Sequence, residues 1–167
     1  MIRVGDGILK FQCTPPPRGA APRKLAANLR LEWQRAMRSA ARKMKTNLRA
    51  RSRKIRDLGT FQNSWIVTAT FTSVTVENRA PHWIFVESGR RAGAAMPPVA
   101  IIEAWARRKF GVSGLGWIIA KRIAEKGIAP RPVLNRLDTQ ARLAQILNEE
   151  LGRGFETAWS RITPNDL

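Results

Sequence analysis

No glycine or proline interrupts the chain between Arg23 and Leu58. Over that stretch Leu25, Leu29, Trp33, Ala36, Met37, Ala40, Met44, Leu48 and Ile55 recur at spacings of three and four. That period places one apolar face on every turn of an α-helix. At 1.5 Å per residue the element from Arg23 to Arg56 is roughly 50 Å long, with Gly59 as a stop signal. The remaining faces carry Arg30, Arg35, Arg38, Arg42, Lys43, Lys45, Arg49, Arg51, Arg53, Lys54 and Arg56, against one acid, Glu32. Like charges at i,i+4 cost a few tenths of a kcal/mol each. Packing against the apolar stripe, or an anion alongside, has to offset that repulsion. Arginine makes bidentate phosphate contacts and tolerates burial better than lysine. Arg35, Arg38, Arg42, Lys45, Arg49 and Arg53 are therefore the candidate polyanion-facing set. The same side chains would equally suit acidic neighbours in an assembly.

The whole chain shares this bias. Thirty basic and twelve acidic residues in 167 give a net charge of +18. Such a balance points to a polyanionic partner or an acidic protein surface. The bland alternative is a solvated basic face without a ligand. The length fits one domain with a real core. One cysteine, Cys13, excludes an internal disulfide framework and fits a reducing compartment. No apolar run reaches about 18 residues, so no membrane span is expected. The start, Met-Ile-Arg-Val-Gly-Asp, lacks a signal-peptide core. Use in a cytoplasm, or in a particle assembled there, is the expectation.

Ile2, Val4, Ile8, Leu9 and Phe11 flank Gly5-Asp6-Gly7, a hairpin signal. Pro15-Pro16-Pro17 ends it, and residues 1–24 read as an extended N-terminal arm. Residues 25–162 read as a single α+β domain, and 163–167 as a frayed tail. From Phe61 to Asn78, Trp65, Val67, Ala69 and Phe71 alternate with Ile66, Thr68, Thr70 and Thr72, and Val74 and Val76 follow. This is β by period and composition, breaking near Thr72-Ser73 into two antiparallel strands. Pro81 opens a short helix whose Trp83, Ile84, Phe85 and Val86 would dock on the sheet. Arg90-Arg91-Ala92-Gly93-Ala94-Ala95-Met96 reads as a small-residue loop with two exposed charges, mobile or ordered by a partner. A helix from Val99 to Phe110 would bury Ile101, Ile102 and Trp105. A second, Leu115 to Lys126, would bury Leu115, Ile118, Ile119 and Ile123, with Gly127 as its stop. Ala129-Pro130-Arg131-Pro132 is extended. Asn135 or Asp138 would cap a last helix with the stripe Leu137, Ala141, Ala144, Leu147, Leu151, Phe155 and Ala158.

Catalytic chemistry finds no foothold. His82 is the only histidine, and Glu87 alone does not make it a site. A metal would have to be held by carboxylates without histidine or thiolate help. Glu87-Ser88-Gly89 lacks the glycine of a nucleophile elbow. Gly111-Val-Ser-Gly-Leu-Gly116 has no strand leading into it, so a turn between helices is preferred to a phosphate loop. The helix pair around it resembles a helix-turn-helix, but its second helix opens with Leu115-Gly116-Trp117-Ile118-Ile119-Ala120 where a DNA reader needs polar side chains. No catalytic residue, cofactor or metal is expected. The tryptophans mostly fall on apolar stripes, as core or as interface anchors.

The ordered features resemble a family of tailed-phage virion proteins, the tail-completion or head–tail-joining (neck, minor tail component) proteins. The residues that carry the resemblance are Asn78-Arg-Ala-Pro-His82-Trp-Ile-Phe-Val86-Glu87-Ser-Gly89, then Met96-Pro97-Pro98-Val-Ala-Ile-Ile-Glu-Ala-Trp105, then Gly127-Ile-Ala-Pro-Arg131-Pro132-Val133-Leu134. They follow a long charged helix and a β-hairpin, and the likeness spans about residues 25–160. His82-Trp83 stands where that family tends to have a tyrosine and a small residue, and Val133 where it often has an aromatic. The resemblance implies an α+β fold: a long N-terminal helix, a small antiparallel β-sheet, two short helices and a C-terminal helix. It implies a structural role at the head–tail junction of a virion assembled in the host cytoplasm. The chain would join or terminate the tail within a ring, a hexamer by the same resemblance, through which DNA passes. Its partners would be further copies of itself, neck adaptor or portal-side proteins and tail-tube proteins, with nonspecific contact to double-stranded DNA and no membrane. The candidate interface residues are His82, Trp83, Glu87, Arg90, Arg91, Met96 and Arg131. A free basic nucleic-acid-binding module using the arginine-rich helix is the alternative.

Overall fold

The computed structural model describes residues 2–5, 8–16, 23–55 and 59–162, with residues 2–5 described by their backbone alone. The chain divides into two compact units where one domain was expected. The first takes the described residues up to Pro81 and those from Val133 onward; the second is His82–Pro132.

The first unit is built on helix α1, Arg23–Arg51. The α-helix stops five residues short of the expected end and tightens into a 3₁₀ turn, Ser52–Ile55. A short helix α2, Thr60–Asn63, follows Gly59, whose φ is +79°. Residues 56–58 and 163–167 lie outside the described residues, and so do the Asp6-Gly7 turn and residues 17–22 of the expected arm.

The sheet has four antiparallel strands in the order β1 (Ile2–Gly5), β2 (Ile8–Gln12), β4 (Ser73–Asn78), β3 (Trp65–Ala69). The strands expected between Ile2 and Phe11 pair with each other, and β2 lies inside the sheet beside β4. Leu9 pairs with Val76 and Phe11 with Val74, and Val67 and Ala69 lie across from the same two valines. With a side-chain period of two, this register aligns the apolar sets on one face. Leu9, Phe11, Val74, Val76 and Trp65 are all buried. The break expected near Thr72-Ser73 is a turn in which the Thr70 hydroxyl accepts from the Ser73 amide at 3.0 Å.

Met37, Ala40, Met44 and Leu48 of α1 fill the core together with Leu143, Ile146 and Leu147 of α6, Leu137–Ser160. Burying each large side chain gains about 1.5–3 kcal/mol. Three polar anchors orient the pieces. Trp65 Nε1 donates to Ser52 Oγ at 2.7 Å, and Ser52 Oγ donates to the Leu48 carbonyl at 2.7 Å. Trp33 Nε1 donates to the Phe71 carbonyl at 2.8 Å.

Helix α6 runs antiparallel to α1. Arg51 meets Asp138 at 2.7 Å, Lys43 meets Glu150 at 2.5 Å, and Arg161 meets Glu32 at 2.5 Å. Its inward face differs from the expected stripe. Thr139, Leu143, Ile146, Leu147, Glu150 and Ala158 are buried, whereas Leu137 and Phe155 are exposed. The rotation follows from Thr139 and Glu150: cations from α1 satisfy both, so polar residues occupy inward positions that an apolar count skips. The N-cap is Arg136, not Asn135 or Asp138, and it makes no side-chain cap bond. Asp138 sits in the first turn, where a carboxylate favours the helix dipole.

The second unit holds α3 (Trp83–Ser88), α4 (Val99–Phe110) and α5 (Gly116–Lys126). Few of its side chains are fully buried; Glu87, Ala106 and Ala120 are among them. Ile84, Phe85, Ile101 and Ile118, all expected inside, are exposed. Small residues take the inward positions instead, so α4 and α5 pack closely through Ala106, Gly116 and Ala120 and leave larger neighbours outside.

Candidate functional site

Two surfaces stand out, one on each unit. On α1, Arg35, Arg38, Arg42, Lys45 and Arg49 follow one another at alternating spacings of three and four. At 100° per residue all five project within roughly a quarter of the helix circumference, about 21 Å end to end. Met37, Ala40, Ala41, Met44 and Leu48 occupy the opposite, buried side. Arg35, Arg38, Arg42 and Arg49 are exposed and Lys45 is half-buried. Arg35 pairs with Glu32 at 2.6 Å. Among the described residues the other four have no acidic partner. Arg53, the sixth candidate, is exposed but lies in the 3₁₀ turn, off the register of the stripe.

The second unit places the candidate interface residues around a backbone latch. His82 is exposed at the N-cap of α3 and Trp83 is half-buried. The chain leaves α3 through Gly89 at φ 72°, ψ −164°, a region open essentially to glycine alone. Arg90 and Ile128 then exchange backbone hydrogen bonds of 2.8 and 2.9 Å. The Gly93 amide donates to the Ala124 carbonyl at 2.7 Å, and the Arg131 amide to the Val86 carbonyl at 2.8 Å. This latch anchors the loop that sequence reading took as mobile or ordered by a partner. Arg90 is half-buried, not exposed: its guanidinium lies 5.4 Å from the Phe85 ring centroid and donates to the Ala95 carbonyl. Arg91, Met96 and Arg131 are exposed. Glu87 is only 5% exposed, the most buried of the candidate interface residues.

Sequence reading missed the device that joins α4 to α5. Glu103 Oε1 accepts from the Gly114 amide at 2.7 Å, and Oε2 from the Gly116 amide at 2.6 Å. One carboxylate thereby satisfies donors at the start of α5. These backbone bonds hold its carboxyl below the usual range. A Cβ at position 116 would stand 2.6 Å from Glu103 Cβ, so only glycine lets the helices approach. The two partners lie more than ten residues apart, beyond any local periodicity. Trp117 and Ile118 on the first turn of α5 are 54% and 58% exposed. That apolar start does not offer the polar side chains a major-groove reader needs.

Among the described residues no group of three or more His, Cys, Asp or Glu side chains could hold a metal ion. Burial pushes the Cys13 thiol up, away from reactivity. It borders an open cavity of about 400 Å³ lined by Phe11, Trp33, Leu147 and Leu151. Among the described residues no helix is long and apolar enough to cross a membrane.

Residues 22–89 match the model of the family described as "Bacteriophage HK97-gp10, putative tail-component". The match takes in α1, the β3–β4 hairpin and α3, and it ends at the Gly89 that closes the Asn78–Gly89 segment. The similarity to phage tail components seen in the residues therefore holds over this part of the chain. No curated protein and no solved structure matches.

Proposed function

We propose that this chain, which carries the signature of a phage tail-component family over residues 22–89, is a structural protein of the virion neck. It joins or terminates the tail at the head–tail interface, as one subunit of a ring through which DNA passes, with six copies as the working number. The family match carries the reading. The exposed basic stripe of α1 and the exposed Arg91, Met96 and Arg131 around the α3 latch support it, as surfaces open to a partner. Neighbouring subunits, adaptor or portal-side proteins and tail-tube proteins are its partners. Recognition, not turnover, is the mechanism.

Electron microscopy of lysates from a phage or prophage with this gene disabled tests the reading. Separate heads and tails, or tails of abnormal length, are expected. Intact, infectious particles would overturn it.

The stripe at Arg35, Arg38, Arg42, Lys45 and Arg49 favours one alternative, a free nucleic-acid-binding module. A duplex binder loses affinity with a log–log salt slope near −0.9 per phosphate neutralised, so a stripe of five that engages phosphates gives a slope of about −4 to −5. A neck subunit that meets DNA only in passing gives a shallow slope.

A further inference from the structure

Helix α5 presents a feature that neither the stripe of α1 nor the α3 latch includes. Ile118, Ile119 and Ile123 form the floor of an open groove of about 470 Å³, and Arg122 and Lys126 line it toward the C-terminal end of the helix. Ile118 is 58% exposed. Arg122 and Lys126 are exposed, and among the described residues neither has an acidic partner. Spacings of four put Ile118, Arg122 and Lys126 in one row, with Ile119 and Ile123 in the row beside it. The groove therefore runs from apolar to cationic along the axis of α5.

We propose that this groove docks an acidic amphipathic segment of another protein. Its apolar side chains would cover Ile118, Ile119 and Ile123, and its carboxylates would pair with Arg122 and Lys126. The charge distribution selects this occupant. Residues 82–132 carry nine Arg or Lys against three Glu. Glu87 is buried and Glu103 is engaged by the Gly114 and Gly116 amides, which leaves Glu125 as the only exposed acid of the unit. A second copy would bring the same cations to the same place, and like-charge juxtaposition disfavours that pairing. Duplex DNA would leave the isoleucine floor uncovered. The inference does not require the ring reading: a groove of this chemistry binds an acidic helix in a free protein as well as in a particle.

A matched pair of synthetic peptides tests it on the full chain. Both carry leucines at alternating spacings of three and four; one has glutamates on the flanking positions, the other lysines. In fluorescence anisotropy at low salt the glutamate peptide is expected to bind and the lysine peptide is not. The double variant Arg122→Glu, Lys126→Glu should weaken the glutamate peptide about tenfold or more and restore binding of the lysine peptide. Charge reversal at Arg38 and Arg42 on α1 should leave the peptide affinity within about twofold. Failure of the glutamate peptide to bind, or equal binding of both peptides, would overturn the proposal. So would a self-associated chain in sedimentation velocity that dissociates on Ile118→Asp. All substituted side chains are exposed, and circular dichroism of each variant verifies the fold.

Discussion

Gly89 and Gly127 lead into the two backbone partners of the latch, Arg90 and Ile128. The φ,ψ values of the two glycines, 72°, −164° and 73°, −168°, lie in the same glycine-only region. A Cβ at 89 would meet the Ile128 carbonyl oxygen at 2.5 Å and the Pro130 nitrogen at 2.8 Å. Gly89→Ala is expected to cost about 1–3 kcal/mol, the usual penalty of such a backbone, and more if Pro130 cannot move. Amide exchange of residues 90–93 and 128–131 should accelerate while exchange in β2 and β4 does not change. In the first unit the charges tell a different story. Burial opposes ionisation of Glu150, but hydrogen bonds from Lys43 and Ser39 and the charges of Lys43 and Arg153 outweigh it and hold its carboxyl below the ordinary 4.5. Hydrogen bonds from Arg51 and Arg136 hold Asp138 at about 2, below 3.8. A carboxyl lowered in the fold stabilises above its unfolded value and loses that contribution as pH falls through its folded one. Stability measured by urea titration should therefore decline from about pH 4.5 downward. Asp138→Asn should flatten the part of the curve between pH 3.8 and 2. At neutral pH, Glu150→Gln is expected to cost about 1–2 kcal/mol, because the cations it leaves can still reach water.

The joint between α1 and the sheet rests on Ser52. It receives the indole hydrogen bond of a fully buried Trp65 and passes one to Leu48. Ser52→Ala removes both and strands the indole donor, at a cost of about 1–3 kcal/mol; a urea midpoint shift with an unchanged m-value would identify it. Ser52 was invisible to sequence reading because a serine in an arginine run looks like solvated surface. Helix α1, both hairpins and the three helices of the second unit were legible, because apolar periodicity and proline–glycine punctuation are local signals. What failed was the choice of inward face. On α6, Thr139 and Glu150 face inward because Arg51 and Lys43 happen to meet them. On α4 and α5, Ala106, Gly116 and Ala120 are inside while Ile101 and Ile118 are outside. Those outcomes depend on a neighbour more than ten residues away, which no window of one helix contains. The basic stripe was readable as a composition, and as a set of six. Its geometry separates five residues in one row from Arg53, which the 3₁₀ turn takes out of register. Reversing two of the five, Arg38→Glu with Arg42→Glu, should lower the magnitude of the salt slope for duplex DNA by about 2 if the row tracks phosphates.

Two units in one chain imply two levels of stability. The first buries Trp65, Phe61, Met37, Met44 and Leu143 almost completely. The second has little fully buried apolar area and is held by backbone bonds, the Glu103 hook and glycine geometry. Regions with few buried contacts open at lower free energy. Hydrogen exchange followed by mass spectrometry should show residues 82–132 exchanging faster than α1, β4 and α6, and slowing when the glutamate peptide is bound.

The sheet order also sets a schedule for the ribosome. Strand β2 emerges early, but its neighbour β4 begins at Ser73, and the helix that covers α1 begins only at Leu137. The first unit cannot close until α6 has been translated, whereas His82–Pro132 is continuous and complete beforehand. At about 5–20 residues per second the nascent α1, with its arginines and its bare apolar stripe, spends seconds without its partner helix. The second unit, by contrast, is finished first, while synthesis continues.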